Sequence, residues 1–225
     1  MRRLRGWREP AARALSRILP ADVLCYVDTD APVYALTFDD GPHPQTTPPL
    51  LDVLAGHRAK ASFFLIGERI HGNETIVARI AGEGHELANH LMRDQPSVLL
   101  SDPRFRRELA RVNSLLATYG NVRWMRPGSG WFTPRMRRSV AAHDLRIVLG
   151  TLVARHDGGP RDARIAPALL AAIRPGSIVV LHEGTDQRRG VVATTDRVVG
   201  ELSRRGLTAV TVSQLLAASR MDRRS

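Results

Sequence analysis

From residue 33 onward, short β-rich runs alternate with longer helical stretches, and this alternation constrains the fold more than any other feature of the chain. The strand-like runs are 33–38, 61–66, 85–88, 122–125, 146–150, 177–181 and 207–212. Between them, 47–57, 73–83, 102–119, 134–143, 163–173 and 190–205 carry apolar residues at helical spacing, as Phe105, Leu109, Val112, Leu115 and Leu116 do. Thr46 or Thr47 and Asn73 stand where caps are expected, with Pro48 near a first turn. A repeated strand–helix unit demands parallel strands joined by right-handed crossovers. About seven such units suit a closed or nearly closed barrel better than an open sheet, although the pattern alone does not exclude a doubly wound sheet. With 225 residues, 43% of them hydrophobic, one core and one domain are expected over 31–217. Residues 1–30 read as a basic extension with a short amphipathic helix over 11–19, and 218–225 as a tail.

The formal charge is +11, and Lys60 is the only lysine among 33 basic residues. Such a surface suits nucleic acid, an anionic wall polymer or a membrane face. No helix-turn-helix, RNP or finger pattern is present, so no nucleic-acid partner is expected. The single cysteine, Cys25, excludes an intramolecular disulfide and a cysteine-rich metal site. No run approaches the ~20 apolar residues of a spanning helix. Arg8, Glu9, Pro10, Arg13 and Arg17 interrupt the segment where a signal peptide would be apolar. A cytoplasmic or membrane-peripheral location is therefore expected, with the basic N-terminus as the membrane contact.

The polar residues that do not suit a core fall in one class of position, the carboxyl ends of the predicted strands. Asp39 and Asp40 follow the first, His90 the third, with Asp94 four residues on; Arg126 ends the fourth, His156 and Asp157 follow the fifth, and His182 follows Ser-Ile-Val-Val-Leu. In a parallel barrel these ends converge on the face where active sites are built. Two adjacent buried aspartates need a cation or donors to compensate them. Asp40, His90 and Asp94 supply a carboxylate, an imidazole and a second carboxylate, a donor set for a divalent cation that leaves positions open for water and substrate. Asp39 is then free to act as general base on the attacking water. Arg126 is expected to hold Asp39 by a bidentate contact, and His182, oriented by Asp157, to protonate a leaving nitrogen. The turn Gly128-Ser129-Gly130 offers the Ser129 N–H to a developing oxyanion. Trp131 beside it serves either a sugar ring or the core. His43, His57, His71, His85 and His143 are read as structural or surface residues.

These residues resemble the motifs of the polysaccharide deacetylases, the NodB-homology domain of carbohydrate esterase family 4. Thr37-Phe38-Asp39-Asp40-Gly41-Pro42 is similar to the first motif and Gly84-His85-Glu86-Leu87-Ala88-Asn89-His90 to the second. Arg126-Pro127-Gly128-Ser129-Gly130 is similar to the third and Val179-Val180-Leu181-His182 to the fifth, over roughly 31–216 and in the family's order. The resemblance implies an α/β fold, a distorted (β/α)7-type barrel with parallel strands. It implies a divalent metal, Zn2+ first, with Co2+, Mn2+ or Ni2+ as alternatives, and an N-acetylated carbohydrate substrate. It gives Asp39 as base, Asp40 and His90 as ligands, and His182 as acid. Three departures stand out. Asp94 replaces the family's second metal-binding histidine, Ser129 replaces an aromatic of the third motif, and the fourth motif is degenerate around 150–157, leaving Asp157 as its counterpart.

The expected activity is hydrolytic removal of acetyl groups from N-acetylated sugars such as chitooligosaccharide or peptidoglycan. The same donors suit another amide or an O-acetyl ester. A catalytically silent carbohydrate-binding protein is the alternative of a different class, motivated by Asp94 and the weak fourth motif.

Overall fold

The computed structural model describes residues 4–6 and 9–222. Its centre is β3 (Val33–Asp39), flanked by β4 (Ser62–Leu65) on one side and β9 (Ile178–His182) on the other. Beyond β4 lie β5 (Glu86–Asn89), β6 (Trp124–Met125) and β7 (Arg146–Val148), and beyond β9 lies β8 (Leu152–Ala154). All of these neighbours pair in parallel. β10 (Thr208–Val210) also pairs with β3. The strands are rich in Val, Ile, Leu and Phe because a parallel sheet is covered on both faces. In β3 every residue from Tyr34 to Asp39 is buried.

Strand parity sorts these residues into two layers. Leu36, Phe38, Phe63, Leu65, Val179 and Leu181 join one cluster with Leu50, Leu54, Val198 and Leu202 from α2 (Thr47–Gly56) and α7 (Gly190–Arg204). Ala35, Phe64, Ala88, Val148 and Ile178 form a second cluster. Side chains two residues apart share a face. Thr37 and Asp39 thus lie on the face of Ala35, and Val180 and His182 on that of Ile178. The placement of Asp39 and His182 is fixed by parity before any specific contact is made.

The expected helices form with small differences in length. They are α2, α3 (Glu74–Gly82), α4 (Asp102–Ala117), α5 (Pro134–Ala141), α6 (Ile165–Ala172) and α7. Thr46 and Asn73 are N-cap residues in position, but neither gives a side-chain cap hydrogen bond. Thr46 is drawn to Glu183 instead, and Asn73 Nδ2 donates to the Arg69 carbonyl.

Residues 1–30 were expected to be an extension; those described are part of the domain. β1 (Leu4–Gly6) pairs antiparallel with β8, and β2 (Val23–Leu24) pairs with β7. Leu149 N–H donates to the Leu24 carbonyl at 2.7 Å, Thr151 Oγ1 to that of Cys25 at 2.6 Å, and Val27 N–H to that of Gly176 at 3.0 Å. The segment thereby bridges the two margins of the curled sheet, and Cys25, Tyr26 and Val27 are buried. The expected helix over 11–19 is α1 (Glu9–Ile18), whose Arg13 and Arg17 face Asp28. The expected tail is mostly helical, within α8 (Val212–Asp222), and 223–225 lie outside the described residues. Met1–Arg3 of the basic beginning lie outside them too. No helix among the described residues is long and apolar enough to cross a membrane.

One structural histidine makes the fold pH-sensitive. His85 is buried, and its Nδ1 accepts the Ala61 N–H at 3.2 Å, which requires a neutral ring. Burial, helped by Lys60, pushes its pKa down from 6.5 to about 4. The unfolded chain takes up this proton first, so native stability is lost as pH falls from 6.5 towards about 4. Urea unfolding at the two ends of that window should show the loss, and His85→Gln should reduce it. An undiminished loss in the variant would assign it to other groups.

Candidate active site

Asp39 is the last residue of β3, and Asp40 begins the turn that leaves it. Asp40 has a positive φ of 73°, a conformation that aspartate tolerates better than most residues. Two glycines make room for this turn. A Cβ on Gly41 would collide with the Glu183 carboxylate, and one on Gly184 with the Asp40 carbonyl and Arg69. Arg69 Nη1 donates to that same carbonyl. Glu183 lies wholly buried beneath the turn, and its Oε2 accepts from Thr46 Oγ1 at 2.9 Å and Thr47 Oγ1 at 2.6 Å. Burial pushes its pKa up to about 7.

The carboxyl ends of the strands bring the histidines to the same turn. Asp39 Oδ2 stands 4.0 Å from His90 Nε2 and 4.0 Å from His182 Nε2. His90 Nδ1 is paired with the Arg126 carbonyl at 2.7 Å and His182 Nδ1 with the Ala154 carbonyl at 2.9 Å. A carbonyl can only accept, so both rings carry the proton on Nδ1 and turn Nε2 towards the aspartates. Arg126 lies under Asp39, with Nη1 2.5 Å from Oδ1 and 2.9 Å from Thr37 Oγ1, and Nε 3.0 Å from the Val148 carbonyl. Its guanidinium stacks on Phe64 at 3.9 Å. The contact with Asp39 is made by one nitrogen rather than the expected two: Nε donates to the Val148 carbonyl, and Nη2 has no hydrogen-bond partner among the described residues.

The aspartates and histidines shift each other's protonation. Burial would raise the Asp40 pKa, but His90, His182 and Arg188 outweigh it and hold the carboxyl well below the usual range. Burial would lower His90, but Asp39 and Asp40 raise it. At His182 burial wins over the same aspartates, and its pKa lies below the ordinary value. Two histidines facing one carboxylate are thus driven apart in proton affinity.

Not every expected residue joins this group. Asp94 is exposed and turned to Arg188, whose Nη2 is 3.7 Å from its Oδ2. Arg188 Nη1 is 2.5 Å from Asp40 Oδ2, so the guanidinium stands between the two carboxylates. The triad of Asp40, His90 and Asp94 is therefore not gathered: no group of three or more His, Cys, Asp or Glu suited to a metal occurs among the described residues. Asp157 does not orient His182. It lies in an exposed loop, where its Oδ1 accepts the Gly159 N–H, and the Ala154 carbonyl takes its expected role. His156 is buried against Thr194. Pro127 and Gly128 are buried, and the Gly128 N–H is taken by Ser97 Oγ at 2.7 Å. The Gly130 N–H is bound to the Pro127 carbonyl, while Ser129 is exposed with φ 65°. Trp131 is 71% exposed, which removes it from the core.

Arg188, Arg155 and Glu183 were not singled out from the sequence. Arg188 sits in Asp-Gln-Arg-Arg, which reads as a solvated turn, and nothing local marks which arginine is buried. Glu183 carried a usable signal, a carboxylate directly after the strand-end His182.

The residues present fit a divalent cation as a pair. Asp40 Oδ1 is buried without a hydrogen-bond partner among the described residues, and His90 Nε2 is 3.3 Å from it. An imidazole whose other nitrogen is anchored to a carbonyl, beside an unsatisfied carboxylate oxygen, supplies two of the three protein donors that a catalytic zinc site usually has.

A curled parallel sheet with acids, histidines and a buried arginine gathered at its strand ends defines a hydrolase of the (β/α) barrel class. The polysaccharide deacetylase profile matches residues 26–148. The chitooligosaccharide deacetylase of Rhizobium leguminosarum bv. trifolii is 35% identical over 185 residues, covering 81% of each chain. The crystal structure of the peptidoglycan N-acetylglucosamine deacetylase Bc1960 superposes with a TM-score of 0.78 at 26% identity, covering 88% of this chain and 94% of that one. A family 4 acetyl xylan esterase from Clostridium thermocellum, solved with a cobalt ion, gives 0.75 at 28% identity, covering 82% and 90%. The chain belongs to the polysaccharide deacetylase family.

Proposed function

We propose that the protein is a metal-dependent deacetylase of N-acetylated sugars, with Asp39 as general base and His182 as general acid. The observation that carries this reading is Asp39 Oδ2, 4.0 Å from both His90 Nε2 and His182 Nε2, with Oδ1 held by Arg126. Asp40 Oδ1 and His90 Nε2 would hold the cation, which supplies polarisation of the acetyl carbonyl and of water. Asp39 takes a proton from the attacking water. Arg126 fixes its carboxylate through Nη1. His182, held through Nδ1–H by the Ala154 carbonyl, acts in its imidazolium form: it gives the leaving nitrogen the proton on Nε2 and regains one from Asp39, whose Oδ2 is 4.0 Å away and has taken a proton from the water. The Ser129 N–H stabilises the developing oxyanion, since the other two amides of its turn are already bonded. Trp131 offers an exposed apolar face to a sugar ring. The name of the rhizobial relative points to chitooligosaccharides and that of Bc1960 to peptidoglycan.

The likeness to an acetyl xylan esterase supports a second reading, hydrolysis of an O-acetyl ester on the same donors. Acetate release should be measured with chitooligosaccharides, peptidoglycan fragments and acetylated xylan, before and after chelation and on restoring Zn2+ or Co2+. Release from an N-acetyl substrate that is lost with chelator and regained with metal is the expected result. Release from xylan alone would install the ester reading, and full activity after chelation would remove the metal.

A further inference from the structure

The site carries a cation of its own. Arg188 lies in the turn that leads from β9 into α7, and its side chain is only 9% exposed. Nη1 binds Asp40 Oδ2 at 2.5 Å and the Glu183 carbonyl at 2.6 Å, and Nη2 faces Asp94 Oδ2 at 3.7 Å. Arg155 adds a second guanidinium, 3.8 Å from the same Asp40 oxygen. With Arg126 on Asp39, the carboxylates of Asp39, Asp40 and Asp94 each face a guanidinium. The neighbouring acids are thus neutralised by the chain itself. A divalent ion that entered between Asp40 and Asp94 would meet a fixed positive charge.

We infer that Arg188 is a tethered counter-ion that competes with the divalent metal for Asp40 and Asp94 and so sets the site's metal affinity. This rests on the reading that Asp40 and His90 hold the cation. With Arg188 in place the metal has Asp40 Oδ1 and His90 Nε2, and Asp94 contributes no donor. Once Arg188 is gone, Asp94 and the second Asp40 oxygen become available and the local charge falls by one unit. Arg188 acts through Asp40 and Asp94 and is therefore a positioning residue.

The test is calorimetric titration of Zn2+ into the metal-free full-length protein, compared with Arg188→Gln, Asp94→Asn and the double variant. Arg188→Gln should bind Zn2+ roughly tenfold or more tightly, because a like charge has been removed from beside the ion. Asp94→Asn alone should leave the affinity within about threefold, the effect of a side chain that is no ligand. Combined with Arg188→Gln, it should remove the part of the gain that Asp94 supplies and leave the part due to the freed Asp40 oxygen. An affinity in Arg188→Gln equal to or below that of the wild type overturns the inference, and so does a tenfold loss in Asp94→Asn alone. If Arg188→Gln does not fold, as circular dichroism would show, Asp94→Asn decides between the same two outcomes. If neither wild type nor Arg188→Gln takes up Zn2+, both this inference and the two-donor cation reading fall. If the wild type binds and Arg188→Gln binds no better, only this inference falls.

Discussion

Asp39→Asn should reduce acetate release from chitooligosaccharides by roughly two to four orders of magnitude, the usual contribution of a general base. The substitution keeps size, shape and an oxygen that can still accept from Arg126 Nη1. What it removes is the ability to take a proton. The variant should therefore bind substrate much as the wild type does, with the loss of activity confined to kcat, while the Arg126 guanidinium, left buried without its charge partner, lowers stability in urea. His90 and His182 both face Asp39 Oδ2, so the same change also removes a negative charge beside two imidazoles. Turnover close to wild type in the folded variant would reassign the base.

Arg126→Met should cost about 3–5 kcal/mol of native stability, the range for removing one partner of a buried ion pair. The guanidinium is buried, stacked on Phe64, and bonded to Asp39, Thr37 and Val148. Methionine fills part of the space but leaves Asp39 without its partner on the inner face of the sheet. The double variant Arg126→Met, Asp39→Asn should recover part of the loss, because no uncompensated charge remains. Urea unfolding of the four proteins reads this directly. A cost of about 0.5 kcal/mol, the scale of a surface substitution, would show that Asp39 reaches water when Arg126 is absent.

Much of the site is legible along the chain because barrel chemistry collects at one kind of position. Asp39, Asp40, His90, Arg126 and His182 all stand at strand ends, and the structure brings them together as that position requires. The residues read less well lie off the strands. Asp94, in the loop after β5, has the spacing of a ligand but turns to a guanidinium contributed from the far side of the sheet. Asp157 follows β8, a strand whose three residues give too short a pattern to stand out, and the backbone of that strand holds His182 instead. Residues 1–30 show no alternation, yet Cys25 to Val27 seal the sheet's margins through main-chain hydrogen bonds that no side-chain pattern announces.

The sequence by itself determined the parallel α/β architecture, the family, and the face on which the acids and histidines meet. Those follow from periodicity and from motif order, which are local and additive along the chain. Only the tertiary structure decided how the charges are matched. Arg188 comes from a turn 148 residues after Asp40, and Arg126 from one 87 residues after Asp39. A buried charge is settled by whatever opposite charge or donor the fold brings within a few ångströms, and that pairing has no period to read.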